Sequence, residues 1–164
     1  MAGTEDQSTR KLWDMISSIR FAMLTSDDGG MLRSRPMAAS QKAFDGTLWF
    51  FTRADSHKVV EVAAEDRVAV SYADPGSQTY VSLSGHAHLQ RDKELIRQHW
   101  SEGLRTWFPN GQDDPEIALL RVDVEAAEYW DAPSSAMVHA YGYAMAVLAG
   151  QPPHPGDNEK LRLS

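Results

Sequence analysis

The chain has 164 residues, of which 42% are hydrophobic and 24% charged, with a formal net charge of -7 and no cysteine. That length suits one compact domain able to bury most of its apolar surface, and the absence of thiols excludes disulfides, thiolate catalysis and cysteine metal sites. The acidic balance, with no run of Lys and Arg, argues against a nucleic-acid partner, because neutralising phosphates needs clustered cations. No apolar stretch is long enough to span a membrane. The start, Met-Ala-Gly-Thr-Glu-Asp, lacks the basic and apolar regions of a secretory signal, so a cytoplasmic location is expected.

Over residues 9–20, Leu12, Ile16 and Ile19 recur at helical spacing, with Trp13 and Met15 widening the apolar stripe after the polar start Ser8-Thr9. Residues 21–25 and 31–37 are extended runs across Ser-Asp-Asp-Gly-Gly, which predicts a hairpin. After a turn at Asp45-Gly46, residues 47–52 predict a third strand that leads directly into a helix beginning near Ser56. Residues 67–72 and 79–89 predict two more strands around Asp74-Pro-Gly-Ser77. In the second of these, Val81, Leu83, Gly85, Ala87 and Leu89 share a core face, and Tyr80, Ser82, Ser84, His86 and His88 share the other. A helix over 93–104 spaces Ile96, Trp100 and Leu104 four apart and ends at Phe108-Pro-Asn-Gly111. Residues 117–124 predict a sixth strand continuing to 128–131. A last helix over 134–149 stacks Met137, Tyr141 and Met145 and stops at Gly150. Residues 1–150 are thus expected to form a single domain and 151–164 a flexible C-terminal tail. Six short strands with interposed helices and no βαβ rhythm favour a mainly β, α+β fold. The expected architecture is a six-stranded antiparallel barrel with peripheral helices.

The segment from Leu48 to Val62 carries the clearest chemistry, because its helix starts with His57 and Lys58 where the dipole is positive. Charged there, each would cost roughly 0.3–1 kcal/mol, a cost removed if an anion sits on the turn with free amides, the Ser56 hydroxyl and the Lys58 ammonium. A capped helix start with solvated cations is the plainer reading. Arg33 and Arg35 share one face of the hairpin and could approach one anion together, or be exposed strand arginines. Tyr80, Ser82 and Ser84 could hydrogen-bond a polar heteroaromatic ring, face solvent or meet a second copy. His86 and His88 lack a third ligand of suitable spacing, so no metal site is expected. The pairs Asp27-Asp28 and Asp113-Asp114 read as turn and cap residues. No Walker loop, Rossmann fingerprint, G-x-S-x-G elbow or H-E-x-x-H is present.

Taken in order, Phe-Ala-Met-Leu-Thr (21–25), Arg-Ser-Arg-Pro-Met (33–37), Trp-Phe-Phe-Thr with Ser-His-Lys (49–58), Tyr-Val-Ser-Leu-Ser-Gly (80–85), Trp-Phe-Pro with Asp-Asp-Pro (107–115) and Glu-Tyr-Trp-Asp (128–131) form a recognisable set. This set resembles the pyridoxamine 5′-phosphate oxidase-like flavoproteins, most closely their bacterial general stress protein branch, over residues 12–130. The resemblance implies an FMN-binding split barrel, a homodimer, and FMN at the subunit interface. It implies Arg33, Arg35, Pro36 and Met37 beside the isoalloxazine, and Phe51 and Thr52 at the strand end that meets the ring. It also implies Ser56, His57 and Lys58 as the phosphate turn, Ser82 and Ser84 reaching the flavin from the partner subunit, and Trp130 flanking it. The family more often has Arg at the middle of that turn, which would make His57 a pH-dependent ligand. After its Trp, a pyridoxamine phosphate oxidase has an Arg-x-His element. Here no Arg follows Trp130 before Arg162, so oxidation of a vitamin B6 phosphate is not expected. Three readings stand: an FMN-binding stress protein, a flavin oxidoreductase acting on a small substrate beside Trp107, Trp130 or His139, and a dimeric interaction module that has lost its cofactor.

Overall fold

In the computed structural model, which describes residues 2–39, 41–131 and 157–163, apolar periodicity decides most elements. Helix α1 (Ala2–Ser17) buries Leu12, Met15 and Ile16, and Trp13 and Ile19 pack at the edge of the same cluster. Strands β1 (Phe21–Asp28) and β2 (Met31–Ala38) meet across two residues, Gly29 at φ 64° and Gly30 at φ 94°. Both lie in the left-handed region that glycine enters without strain, so the turn is tight and Asp27 and Asp28 end β1 instead of sitting in the loop.

Strand β3 (Thr47–Arg53) runs into helix α2 (His57–Ala64), followed by β4 (Arg67–Asp74), β5 (Thr79–Gln90), helix α3 (Lys93–His99), a 3-10 turn (Glu102–Thr106), β6 (Ile117–Asp131) and β7 (Asp157–Arg162). The strands pair antiparallel in the order β2-β1-β4-β5-β6-β3, and an Ala39–Phe50 bridge joins the far edge back to β3. A sheet closed by so narrow a contact is a split barrel, and the mainly antiparallel α+β class is the expected one. Among the described residues the strand count is seven rather than six. The extra strand, Asp157–Arg162, lies within the stretch expected as a C-terminal tail. β6 is 15 residues long, its first half pairs β3, and the other half would present an open edge that β7 covers. Leu161 packs against the main core as it does so. The helix expected over 134–149, with Met137, His139, Tyr141 and Met145, lies outside the described residues.

The β5 alternation holds over most of the strand, with Val81, Leu83, Gly85 and Ala87 buried and Tyr80, Ser82, Ser84 and His88 exposed, while His86 and Leu89 near the strand end are half-buried. Gly85 marks a register shift against β6, where an added Cβ would collide with the Asp123 carbonyl; only the absent side chain permits the close approach. The helix expected over 93–104 breaks at Trp100, whose extended backbone (φ -66°, ψ 140°) separates α3 from the 3-10 turn. The break lets Trp100 meet Phe51 edge-on at 5.8 Å while its indole N–H donates to Glu102 at 3.0 Å. Phe51, Ile96, Leu104, Ile117 and Leu119 then form a second buried cluster beside the barrel. Each such side chain contributes roughly 1.5–3 kcal/mol by leaving water, so this cluster suffices to fix the loop carrying Trp107 and Phe108 against β3.

Candidate functional site

At the junction of β3 and α2 the polar side chains bond one another and leave the helix start without a side-chain cap. Ser56 caps α2 with an extended backbone (φ -76°, ψ 147°), yet its hydroxyl makes no capping hydrogen bond. Instead it lies 3.3 Å from Thr52 Oγ1 and 3.4 Å from Lys58 Nζ, so no cap side chain serves the first-turn amides. The Lys58 ammonium donates to Thr52 Oγ1 at 3.0 Å, so both of its hydrogen bonds reach hydroxyls, and among the described residues no carboxylate pairs with it. Burial, and then the nearby Arg35 charge, hold its pKa below the usual lysine value, with Glu61 pulling the other way. A half-buried cation without a counter-anion is the electrostatic signature of a place prepared for one.

That ammonium lines a cavity of about 380 Å³. The walls are Pro36, Met37 and Ala38 from β2, Phe51, Thr52 and Arg53 from β3, Ser56 and Lys58 from the turn, and Phe21, Leu104, Trp107 and Phe108. At the mouth, Trp107 stands edge-on to Phe21 at 6.1 Å, and the Arg20 guanidinium lies 5.5 Å from each ring. A cleft with aromatic and aliphatic walls and one hydroxyl- and ammonium-lined end suits a flat heteroaromatic ligand bearing an anion. Six expected residues, Pro36, Met37, Phe51, Thr52, Ser56 and Lys58, converge on it. Phe21, Ala38, Arg53, Leu104 and Phe108 were missed. Phe21 opens a strand and Leu104 fits a helical stripe, so pattern assigned both to packing.

Arg33, Arg35 and His57 do not line the cavity. The two arginines do converge on an anion, but it is the buried Glu61 of α2. Arg35 donates from Nη1 to Ser26 Oγ at 2.6 Å and from Nη2 to Glu61 Oε2 at 2.7 Å, and the Ser26 hydroxyl donates to that same carboxylate. Arg33 Nη1 lies 3.0 Å from Asp28 Oδ2 and 3.8 Å from Glu61 Oε1. His57 Nε2 lies 3.3 Å from Asp28 Oδ2 and 3.6 Å from Glu61 Oε1, an i,i+4 pair on α2. Burial pushes the Glu61 carboxyl up, but the Ser26 and Arg35 hydrogen bonds with the Arg35 charge outweigh it, and its pKa ends below the usual value. The Arg33 hydrogen bond, assisted by His57, lowers Asp28 as well.

Ser82, Ser84 and Trp130 lie elsewhere again, on the outer face of β5 and β6, where Tyr80 stands opposite Trp130 and Ser82 opposite Glu128. His86, also on β5, holds its Nδ1 2.9 Å from Asp66 and its Nε2 3.0 Å from Glu125, so each nitrogen meets a carboxylate. The Asp66 hydrogen bond chiefly raises its pKa above the usual histidine value. Because the folded value is raised, the clamp stabilises fully below the unfolded pKa of about 6.5 and is lost as pH rises through the folded value. NMR titration of His86 should therefore give a midpoint above about 6.5, and a midpoint at or below it would mean the clamp does not form.

Compared with known proteins, residues 7–154 match the family model described as pyridoxamine 5′-phosphate oxidase like. Among curated proteins, Protein bli-3 of Neurospora crassa is 27% identical over 158 residues, covering 90% of this chain and 76% of that protein. A putative general stress protein 26 from Jannaschia sp. CCS1 superposes with a TM-score of 0.78 at 26% identity, covering 96% of this chain and 99% of the other. The general stress FMN/FAD binding protein from Xanthomonas citri superposes with a TM-score of 0.71 at 29% identity, covering 79% and 92% respectively.

Proposed function

The chain belongs to the pyridoxamine 5′-phosphate oxidase like family, and from that premise we propose that it is a general stress protein binding FMN in the cavity between β2, β3 and α2. The observation that carries this reading is Lys58, a half-buried ammonium on the cavity wall whose hydrogen bonds among the described residues go to hydroxyls. The FMN phosphate would take Lys58, Ser56 and the first-turn amides of α2, a charge-assisted set at a positive helix end. Pro36, Met37, Phe51 and Thr52 would border the isoalloxazine and keep water from it. A bound flavin supplies electron or hydride transfer, and the chain's own part is to bind, orient and shield it. Arg33, Arg35 and His57 then serve the phosphate turn indirectly, by fixing α2 through Glu61 and Asp28.

The protein acts as a homodimer in this reading, in the cytoplasm, with residues 1–150 forming one domain. Phe21 is 46%, Met23 40%, Tyr80 41% and Trp130 38% exposed, an apolar content on the outer side of the sheet that supports burial against a second copy. In such a dimer Ser82, Ser84 and Trp130 of one protomer approach the flavin of the other. The test is the visible spectrum of the purified protein before and after FMN addition and gel filtration. Retained bands near about 375 and 450 nm, the cofactor's own absorption, are expected. A colourless protein after FMN loading would overturn the proposal and favour an interaction module.

A further inference from the structure

We propose that Asp28, His57 and Glu61 form a binding site for one divalent transition-metal ion, with Zn2+ as the probe, on a face of α2 that does not line the flavin cavity. The three residues offer one ligand atom each, all within 4.8 Å of one another. Two of the separations, 3.3 Å from His57 Nε2 to Asp28 Oδ2 and 3.6 Å to Glu61 Oε1, match a tetrahedral edge. For metal–ligand bonds of roughly 2.0–2.2 Å, that edge is about 3.3–3.6 Å. An imidazole with two carboxylates and no thiolate selects a borderline divalent ion, and three protein ligands leave the fourth position to solvent.

Glu61 supplies the independent observation. Its side chain is 1% exposed, and its Oε1 is a buried oxygen without a hydrogen-bond partner among the described residues, although Oε2 is fully engaged by Ser26 and Arg35. A desolvated carboxylate oxygen left unbonded costs free energy that a coordinated cation would recover. Among the described residues its ion-pair neighbours on that oxygen are His57 at 3.6 Å and Arg33 at 3.8 Å. Arg33 marks the same spot as attractive to positive charge, since its Nη1 sits 3.0 Å from the Asp28 oxygen that faces His57. Its side chain is 51% exposed, so this internal cation is held by a surface ion pair of small net strength and can swing into solvent. Arg35 stays on the opposite oxygen of Glu61 and does not compete for Oε1. The arginine and the metal are alternative occupants of one pocket, which sets opposite signs for two substitutions.

Zn2+ binding to the chelator-stripped full chain, followed by competition with a chromophoric chelator, tests this. One Zn2+ per chain is expected, weakened at least tenfold in His57→Ala and in Asp28→Asn, and tightened about two- to fivefold in Arg33→Ala, the scale of the surface ion pair that Zn2+ no longer has to displace. His57 is exposed and Asp28 half-buried, so these variants should fold, and circular dichroism checks that they do. His86→Ala, a distant imidazole, should leave binding unchanged. Absence of stoichiometric binding overturns the proposal, as does binding that survives His57→Ala or that Arg33→Ala leaves unchanged or weaker.

Discussion

Glu61→Ala should destabilise the protein by about 3–5 kcal/mol, the range for breaking a buried ion pair from one side. Glu61 is 1% exposed and Arg35 17%, and the carboxylate answers both Arg35 Nη2 and the Ser26 hydroxyl. Removing it strands a guanidinium that the fold does not let back into water, so the loss exceeds that of an ordinary hydrogen bond. Arg35→Ala should cost a similar amount for the mirror reason, by stranding the carboxylate. The double variant should cost clearly less than the sum, because the second truncation removes the charge that the first left unpaired. Urea unfolding of the four proteins gives the cycle, and strict additivity would mean that the two groups do not interact. The acid limb provides a further check. Glu61 has a lowered folded pKa, so its stabilisation is present above the unfolded carboxylate value of about 4.3 and is lost as pH falls through the folded one. Glu61→Gln, which keeps the shape without the charge, should flatten that limb.

The same residue marks where sequence reading stops. In α2 the order Val59-Val60-Glu61-Val62 suggests apolar valines inside and a charged residue outside, yet Val60 is 63% exposed and Glu61 is buried. Helical periodicity cannot show this, because what compensates the buried Glu61 carboxylate is Ser26 on β1 and Arg35 on β2, more than twenty residues earlier. The legible parts depended on local rules. Alternation in β5, the Gly29-Gly30 turn and the cationic start of α2 are each set by neighbours in sequence, and each was readable, whereas the missing Ser56 cap was not. Strand β7 was not, since Asp157–Arg162 contains one strongly apolar residue, Leu161, and its strand state follows from the open edge of β6. The metal cluster escaped for a related reason: His57 and Glu61 have readable i,i+4 spacing, but Asp28 joins them only through the hairpin. Trp100 was misplaced in a helix because four-residue spacing of apolar residues fits both a continuous helix and two short ones that pack on one surface.

Lys58→Ala should weaken FMN binding by about 1.5–3 kcal/mol, roughly 10- to 150-fold, which is the strength of a charge-assisted hydrogen bond to phosphate. Stability should not fall with it. The free protein holds the Lys58 pKa below its usual value, mainly through burial, so the charged ammonium disfavours the unliganded fold, a cost fully present below the lowered folded value and gone only once pH passes the unfolded value of about 10.4. Truncation should therefore leave the melting midpoint of the unliganded protein unchanged or raised while affinity drops, a combination that a merely structural lysine would not give. The pH dependence of binding carries its own sign. A bound phosphate would favour the ammonium and move its pKa back up, so between the free and bound values binding takes up a proton, and affinity falls as pH rises. Lys58→Ala should abolish that alkaline fall, and Lys58→Arg should retain the charge but remove the titration from the accessible range. Fluorescence titration of FMN across pH with the three proteins measures all of this. An affinity that does not change in Lys58→Ala would remove Lys58 from the phosphate site and leave Ser56 and the helix amides to hold the anion alone.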